Sequence, residues 1–361
     1  MKRLRLALLF LLLLLIGTCG FAFWAYRDLH TPRAHSRAAE YVEIPRGSSP
    51  TEIVSKLTSL GIIGREWPLL AYMKLTGTGS KLKAGEYRFQ TPISPLEVLN
   101  KLEEGEERLQ KFTVIEGWTR WDIAEALARV PALKLESTAS ALALMDEAGA
   151  IRDLDPQAQN LEGYLYPDTY SFPADTTASQ LVALMVKRFR QEWKPEWTAR
   201  ARALEMTPRQ IVTIASLIET EAKLPEDRPL ISSVIYNRLK IKMPLGVDSS
   251  IIYASKLAGK WKNDGKVYKS DLDRNTPYNT RLHAGLPPSP IASPSASSLQ
   301  AALFPTATDY LYYVREPSRN DGKHNFYSNE ADFGRGVEAL RQWERERDAA
   351  KAQSNQTAPT P

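Results

Sequence analysis

The sequence predicts an α+β protein with three parts: an N-terminal membrane helix, a small α/β module and a larger α+β domain. Three observations carry that reading. Residues 6–26 contain no charged side chain. A strand, a glycine turn and a helix opening with S-P-x-E recur within the first 130 residues. Beyond them, apolar runs of helical period alternate with segments dense in proline, glycine and aromatic residues.

The uncharged run is 21 residues long, enough to cross a bilayer at about 1.5 Å per residue. Lys2, Arg3 and Arg5 stand before it, which predicts a single-pass protein with a cytoplasmic N-terminus and an exported remainder. Phe21, Phe23, Trp24 and Tyr26 form an aromatic belt for the outer interface. The competing reading is a cleaved signal peptide, with Gly20-Phe21-Ala22 as a small-x-small site. The length of the run and its aromatic end favour the anchor. Cys19, the only cysteine, lies inside the run, so the exported part contains no disulfide.

The three basic residues before the run supply part of the net charge of +5, leaving +2 for the rest of the chain. No long basic run occurs, which argues against nucleic acid as a partner. At 361 residues the chain has room for about two domains. The predicted organisation is a basic N-terminus (1–5), a transmembrane helix (6–26), a polar tether (27–40), a module (41–108), a large domain (109–347) and an unstructured tail (348–361).

In the module, residues 41–44 read as a strand, Pro45-Arg46-Gly47 as a turn, and Ser49-Pro50 as a helix start with Glu52 in its first turn. S-P-L-E-V-L-N-K-L (94–102) repeats S-P-T-E-I-V-S-K-L (49–57) at five positions, and V-I-E-G-W-T-R-W-D-I-A-E-A-L (114–127) is a third relative. A second strand at 85–89 is placed to pair back on the first. In the large domain, amphipathic helices are predicted at 177–194, 207–222, 226–240 and 330–348, with an alternating strand at 310–314. Pro167-Asp168 reads as a turn between two short strands.

Glu219 is the leading candidate for acid chemistry. Ile211, Ile214, Ala215 and Ile218 make the buried stripe of a helix, and Glu219 and Glu221 stand at its end. Apolar neighbours raise the proton affinity of a carboxylate, which suits a general acid. The two glutamates diverge by about 200° around the helix, so they are not a facing pair. The alternative for Glu219 is a plain ion pair with Arg238. Other candidates follow from residue type. Asn237, on the returning helix, is placed to meet Glu219. Asp248 serves either as a sugar-hydroxyl acceptor or as an N-cap. Glu162, Tyr166, Asp168 and Tyr170 form an acid–aromatic cluster suited to carbohydrate or to a structural corner. Tyr278 and Asn279 stand beside a Leu286-Pro287-Pro288 turn as a wall. The four histidines lack the spacing of a metal site, and no cofactor motif is present.

Five segments resemble the YceG-like family of endolytic murein transglycosylases (the MltG proteins): L-E-G-Y-L-Y-P-D-T-Y (161–170), A-S-L-I-E-T-E (215–221), Y-N-R-L (236–239), D-S-S-I-I-Y (248–253) and P-Y-N-T-R-L-H-A-G-L-P-P-S-P-I (277–291). D-G-K-H-N-F (321–326) fits as well. Ser249, Ser289, Ser293 and the Phe333-Gly334 pair depart from the usual pattern. The strand–glycine–helix module is similar to LysM modules, which bind N-acetylated glycans; the alternative is a folding unit with no groove.

The resemblance implies Glu219 as catalytic acid and peptidoglycan glycan strands as substrate; Glu221 then reads either as a supporting residue or as a solvated surface position. It also implies proximity to peptidoglycan synthases. The implied reaction cleaves the bond between N-acetylmuramic acid and N-acetylglucosamine within strands, leaving 1,6-anhydro ends and terminating strand growth. Two other readings stay open: a hydrolytic muramidase using Asp248 or Glu162 as second acid, and a non-catalytic glycan-binding scaffold.

Overall fold

The computed structural model describes residues 2–105, 109–317, 319 and 321–356. They fall into two compact units, Met1–Gln110 with Ser171–Asp175, and Lys111–Tyr170 with Thr176–Pro361.

The first unit opens with α1 (Lys2–His30), whose segment Leu8–His30 is long and apolar enough to cross a membrane. Leu8 through Ile16 are exposed along this helix. The segment 27–40, expected as a polar tether, is docked at its start. The helix runs on to His30, Leu29 enters the core, and the buried Asp28 pairs with Arg33 at 2.5 Å and Arg65 at 3.5 Å. Arg33 and Ile93 then exchange backbone hydrogen bonds of 2.9 and 3.1 Å. Polar composition concealed this docking because only Leu29 and Asp28 need partners, and those lie far along the chain.

The module follows as β1 (Val42–Ile44), α2 (Pro50–Ser59), α3 (Glu66–Thr76), β2 (Gly85–Tyr87) and α4 (Pro95–Glu104). The strands pair antiparallel with Val42 opposite Tyr87. Gly47 makes the turn at φ +83°, a left-handed conformation that costs glycine little. Both repeated helix starts form reciprocal capping boxes. Ser49 N–H donates to Glu52 and Ser94 N–H to Glu97, each at 2.7 Å, while each serine oxygen accepts the glutamate N–H at 3.3 Å. Val54, Leu57, Tyr87 and Leu99 close the core behind them. Residues 106–108, the predicted end of the module, lie outside the described residues.

The second unit begins within β3 (Gln110–Thr113), and Thr119 with Asp122 caps α5 (Arg120–Ala128) in the third box. After α6 (Thr138–Asp146) comes β4 (Thr169–Phe172), which pairs with β3; Val114 N–H donates to Asp168 O at 3.0 Å. Pro167-Asp168 thus precedes one strand rather than joining two. The helices α7 (Ala178–Glu192), α8 (Pro195–Ala203), α9 (Pro208–Glu221), α10 (Arg228–Lys240), α11 (Asp248–Leu257), α12 (Lys269–Leu272) and α13 (Ala296–Leu303) build the body. The hairpin β5 (Tyr312–Arg315) and β6 (His324–Tyr327) leads into α14 (Glu330–Gln356).

Helix α9 is the axis of this unit. Thr207 and Gln210 cap it reciprocally, Pro208 opens it, and all residues from Ile211 to Ile218 are buried against α10, α11 and α13. The tail expected to be unstructured from 348 is helical to Gln356. Its alanine, lysine and glutamine have high intrinsic helix propensity; residues 357–361 lie outside the described residues.

Candidate active site

The C-terminal turn of a helix is a poor place for two anions, because carbonyl dipoles converge there. Glu219 and Glu221 occupy that turn of α9, and each is met by donors. One oxygen of Glu219 accepts both the backbone N–H of Ser295 at 2.7 Å and its hydroxyl at 2.5 Å. The other accepts Arg228 Nη2 at 3.1 Å. The Glu219 side chain is only 4% exposed. Ser295 is available because it is the N-cap of α13, where its oxygen also faces the N–H of Ser298 at 3.4 Å. Arg228 is available because it begins α10, directly after the short turn at 225–227.

A second carboxyl stands beside this one. Arg228 Nη2 also reaches Glu116 at 3.9 Å. Burial, and then the charge of Glu219, push the Glu116 carboxyl above its ordinary value, while Arg228 opposes them. The Glu116 side chain is 57% exposed, so it forms the solvent-side edge of the cluster. Gly117, at φ +78°, brings the turn against α9: a Cβ there would sit 3.9 Å from Glu219 Cγ. The turn is fastened by Gly117 N–H to Ser293 O at 2.9 Å and Ser293 N–H to Trp118 O at 2.8 Å.

Glu221 has separate surroundings. It accepts the hydroxyl of Tyr313 at 3.0 Å, and burial pushes its carboxyl up to about 7. Its helical neighbour Thr220 meets Ser249 at 2.6 Å, tying the end of α9 to the start of α11. The ion pair considered between Glu219 and Arg238 is not formed. Arg238 instead donates to the carbonyls of Leu311 and Leu245, both at 2.6 Å.

Several sequence candidates are placed differently from expectation. Asn237 donates to the carbonyls of Thr308 and Tyr310, both at 2.9 Å, and fastens the approach to β5. Asp248 is the first residue of α11 and is held by Arg281 at 2.6 and 2.8 Å, while Val247 is the N-cap. Glu162 lies in the core, 1% exposed, accepting the N–H of Arg120 at 3.2 Å. Burial drives its carboxyl up to about 8. Such a group cannot touch a glycan without opening the fold. Tyr170 is buried and donates to Tyr166 O at 2.6 Å. Arg188 lies over the Tyr166 ring at 4.6 Å and bonds Asp168 at 3.0 Å. These contacts are those of the structural-corner alternative. Tyr278 bonds Ser289 at 2.7 Å, and the buried Asn279 holds the carbonyls of Leu272 and Arg274.

Sequence reasoning missed Glu116, Arg228 and Ser295. The only signal for Glu116 was its place before a glycine turn, a position repeated elsewhere without an acid. Among the described residues no group of His, Cys, Asp and Glu is arranged to hold a metal ion.

The site therefore defines a mostly helical α+β domain in which the Glu219 carboxyl at the end of its central helix is held by a serine cap and an arginine. The chain belongs to the YceG-like family, with the match extending over residues 42–339. It is 34% identical over 312 residues to the endolytic murein transglycosylase of Bacillus subtilis strain 168, covering 82% of this chain and 84% of that protein. It is 31% identical over 327 residues to the endolytic murein transglycosylase of Streptococcus pneumoniae strain D39, covering 84% of this chain and 59% of that one. The crystal structure of a YceG-like protein of Listeria monocytogenes is similar at 31% identity with a TM-score of 0.56, covering 83% of this chain and 99% of that one.

Proposed function

We propose that this chain is a membrane-anchored endolytic lytic transglycosylase that cuts murein glycan strands. The observation that carries the reading is Glu219: a carboxyl at the end of a buried helix, held by Ser295 and Arg228, in a family whose relatives bear that activity in their names. Protonated Glu219 gives its proton to the glycosidic oxygen as the bond to C1 of N-acetylmuramic acid breaks, freeing the 4-hydroxyl of N-acetylglucosamine. The C6 hydroxyl of the muramic residue then closes on C1 and returns its proton to Glu219. No water is consumed and the acid is regenerated. Ser295 Oγ suits both stages, because a hydroxyl donates to the carboxylate and accepts from the acid. Arg228 would steady the anion between the two steps.

A second reading, hydrolysis, is favoured by one observation: Glu116 stands beside Glu219 on the solvent side and offers the second carboxyl an ordinary glycosidase needs. Product mass separates the two, since hydrolysis adds one water to the muramic end. Digestion of purified sacculi by the full chain should yield 1,6-anhydro ends. Hydrated ends alone would replace the transglycosylase with a muramidase, and no cleavage would return the chain to a glycan-binding scaffold.

The location belongs to the same proposal. The apolar segment of α1 behind three basic residues supports a single-pass anchor in the cell membrane with the larger unit outside. The strand–helix–helix–strand order of the first unit supports the LysM-like reading and a contribution to glycan binding. An anchored enzyme of this kind would act on nascent strands near the synthases that make them.

A further inference from the structure

The β5–β6 hairpin and the turn before α10 enclose a groove of about 550 Å³ that the acid chemistry does not use. Its walls include Glu226, Asp227, Tyr310, Lys323, His324 and Phe326. The groove abuts the site just described. Asp227 immediately precedes Arg228, which donates to Glu219. Tyr313 makes a second link: its hydroxyl bonds Glu221, and its ring meets His324 edge-on at 5.4 Å between centroids.

The polar groups of the groove are partly committed and partly open. Asp227 has a side chain 1% exposed and accepts the backbone N–H of His324 at 2.8 Å, with His324 Nδ1 at 3.0 Å from the same oxygen. That leaves Nε2 as the ring nitrogen able to meet a ligand. Among the described residues, neither Lys323 Nζ nor the Glu226 carboxylate has a hydrogen-bond or ion-pair partner, and Glu226 acts on Arg319 only through its charge. Tyr310 and Phe326, 5.7 Å apart, supply an apolar wall.

Two open charges of opposite sign discriminate between the parts of a murein strand. The glycan backbone is uncharged and would leave both unmatched. The peptide stem carries carboxylates, and its third residue commonly carries an amine. We propose that this groove is a subsite for the peptide stem of the strand being cut. Lys323 pairs with a stem carboxylate, Glu226 with the stem amine, and His324 Nε2 bonds a peptide amide. Tyr310 and Phe326 pack against the aliphatic parts of the stem. The choice of ligand rests on the murein reading, but the groove binds rather than reacts.

Isothermal titration of the full chain in detergent with the free tripeptide L-Ala-γ-D-Glu-meso-diaminopimelate tests this. Saturable binding is expected, weakened roughly tenfold or more by Lys323→Met and by Glu226→Gln, each removing one charged hydrogen bond. Glu219→Gln should leave the affinity unchanged. Absence of saturable binding, or affinities within about twofold of wild type in both charge variants, would overturn the proposal. Displacement of the peptide by uncharged chitotetraose would overturn it too and assign the groove to glycan. Because the readout is binding, the two readings fail separately. Peptide binding without anhydro product keeps this inference and removes the reaction; anhydro product without peptide binding does the reverse.

Discussion

Ser295 donates its backbone N–H and its hydroxyl to the same oxygen of Glu219, at 2.7 and 2.5 Å. One residue thus caps α13 and orients the carboxyl at the end of α9. The N–H is fixed by the backbone, whereas the hydroxyl can reverse its role when the carboxyl takes up a proton.

Ser295→Ala separates those functions. It keeps the N–H bond, loses the hydroxyl and removes the cap, so stability should fall by about 1 kcal/mol. Turnover should fall by about tenfold or more, well short of the loss of the acid itself. Thermal melting and release of muropeptides measure the two effects. A variant that melts earlier yet turns over at the wild-type rate would reduce Ser295 to a cap.

Glu116→Gln tests the second carboxyl. In a transglycosylase the nucleophile belongs to the substrate, so the rate should fall by less than about 10²-fold, the lower limit usual for loss of a general acid or base. The product should stay anhydro. A collapse in rate accompanied by hydrated products in the wild type would instead make Glu116 the base that activates water.

The buried Glu162 predicts a pH dependence of stability. Its ordinary value is 4.5 and burial raises it to about 8 in the folded chain. Between those values the folded state holds a proton that the unfolded chain has released, so stability falls as pH rises through the window. Its contribution changes by on the order of 1 kcal/mol per pH unit there. Glu162→Gln should flatten this part of the profile and melt higher than wild type near pH 8. A wild-type melting temperature that rises steadily from pH 5 to 8, with no change in slope in the variant, would contradict the assignment.

The end of α1 predicts retention of the anchor. Trp67 of α3 stacks on Phe21 and Trp24 of α1, at 5.1 and 5.5 Å. Cleavage after Ala22 would remove Phe21 from that stack. N-terminal sequencing of the native protein should therefore begin at or near Met1. A start at Phe23 would show a cleaved signal peptide.

Legibility in the sequence followed the range of the interactions. The helix α9 was readable because Thr207, Pro208, Gln210 and the apolar stripe are local signals, and the capping boxes of α2, α4 and α5 were written in the same way. Glu219 stood out through its position on that helix. Its partner Ser295 is 76 residues distant, and Arg228 rather than Arg238 of the same helix meets it because α10 starts directly after the turn at 225–227. The acid–aromatic cluster stayed open between a sugar site and a structural corner for another reason. Composition cannot distinguish rings that face sugar from rings that face one another, and the buried hydroxyl of Tyr170 settles on Tyr166. Asn237 likewise had a plausible helix and the wrong face, since its amide serves the carbonyls of Thr308 and Tyr310.

The most direct test is the release of 1,6-anhydro muropeptides from purified sacculi by wild type, Glu219→Gln and Glu221→Gln, with circular dichroism to confirm folding. Glu219→Gln removes the transferable proton while keeping the size of the side chain, so turnover should drop by ~10²–10⁴-fold, nearer the upper end because one group serves both steps. Glu221→Gln should cost much less, since its carboxyl meets Tyr313 rather than the Ser295–Arg228 donors. An active Glu219→Gln beside a dead Glu221→Gln would contradict the assignment of the acid. Activity in both folded variants would remove the acid chemistry from this helix altogether.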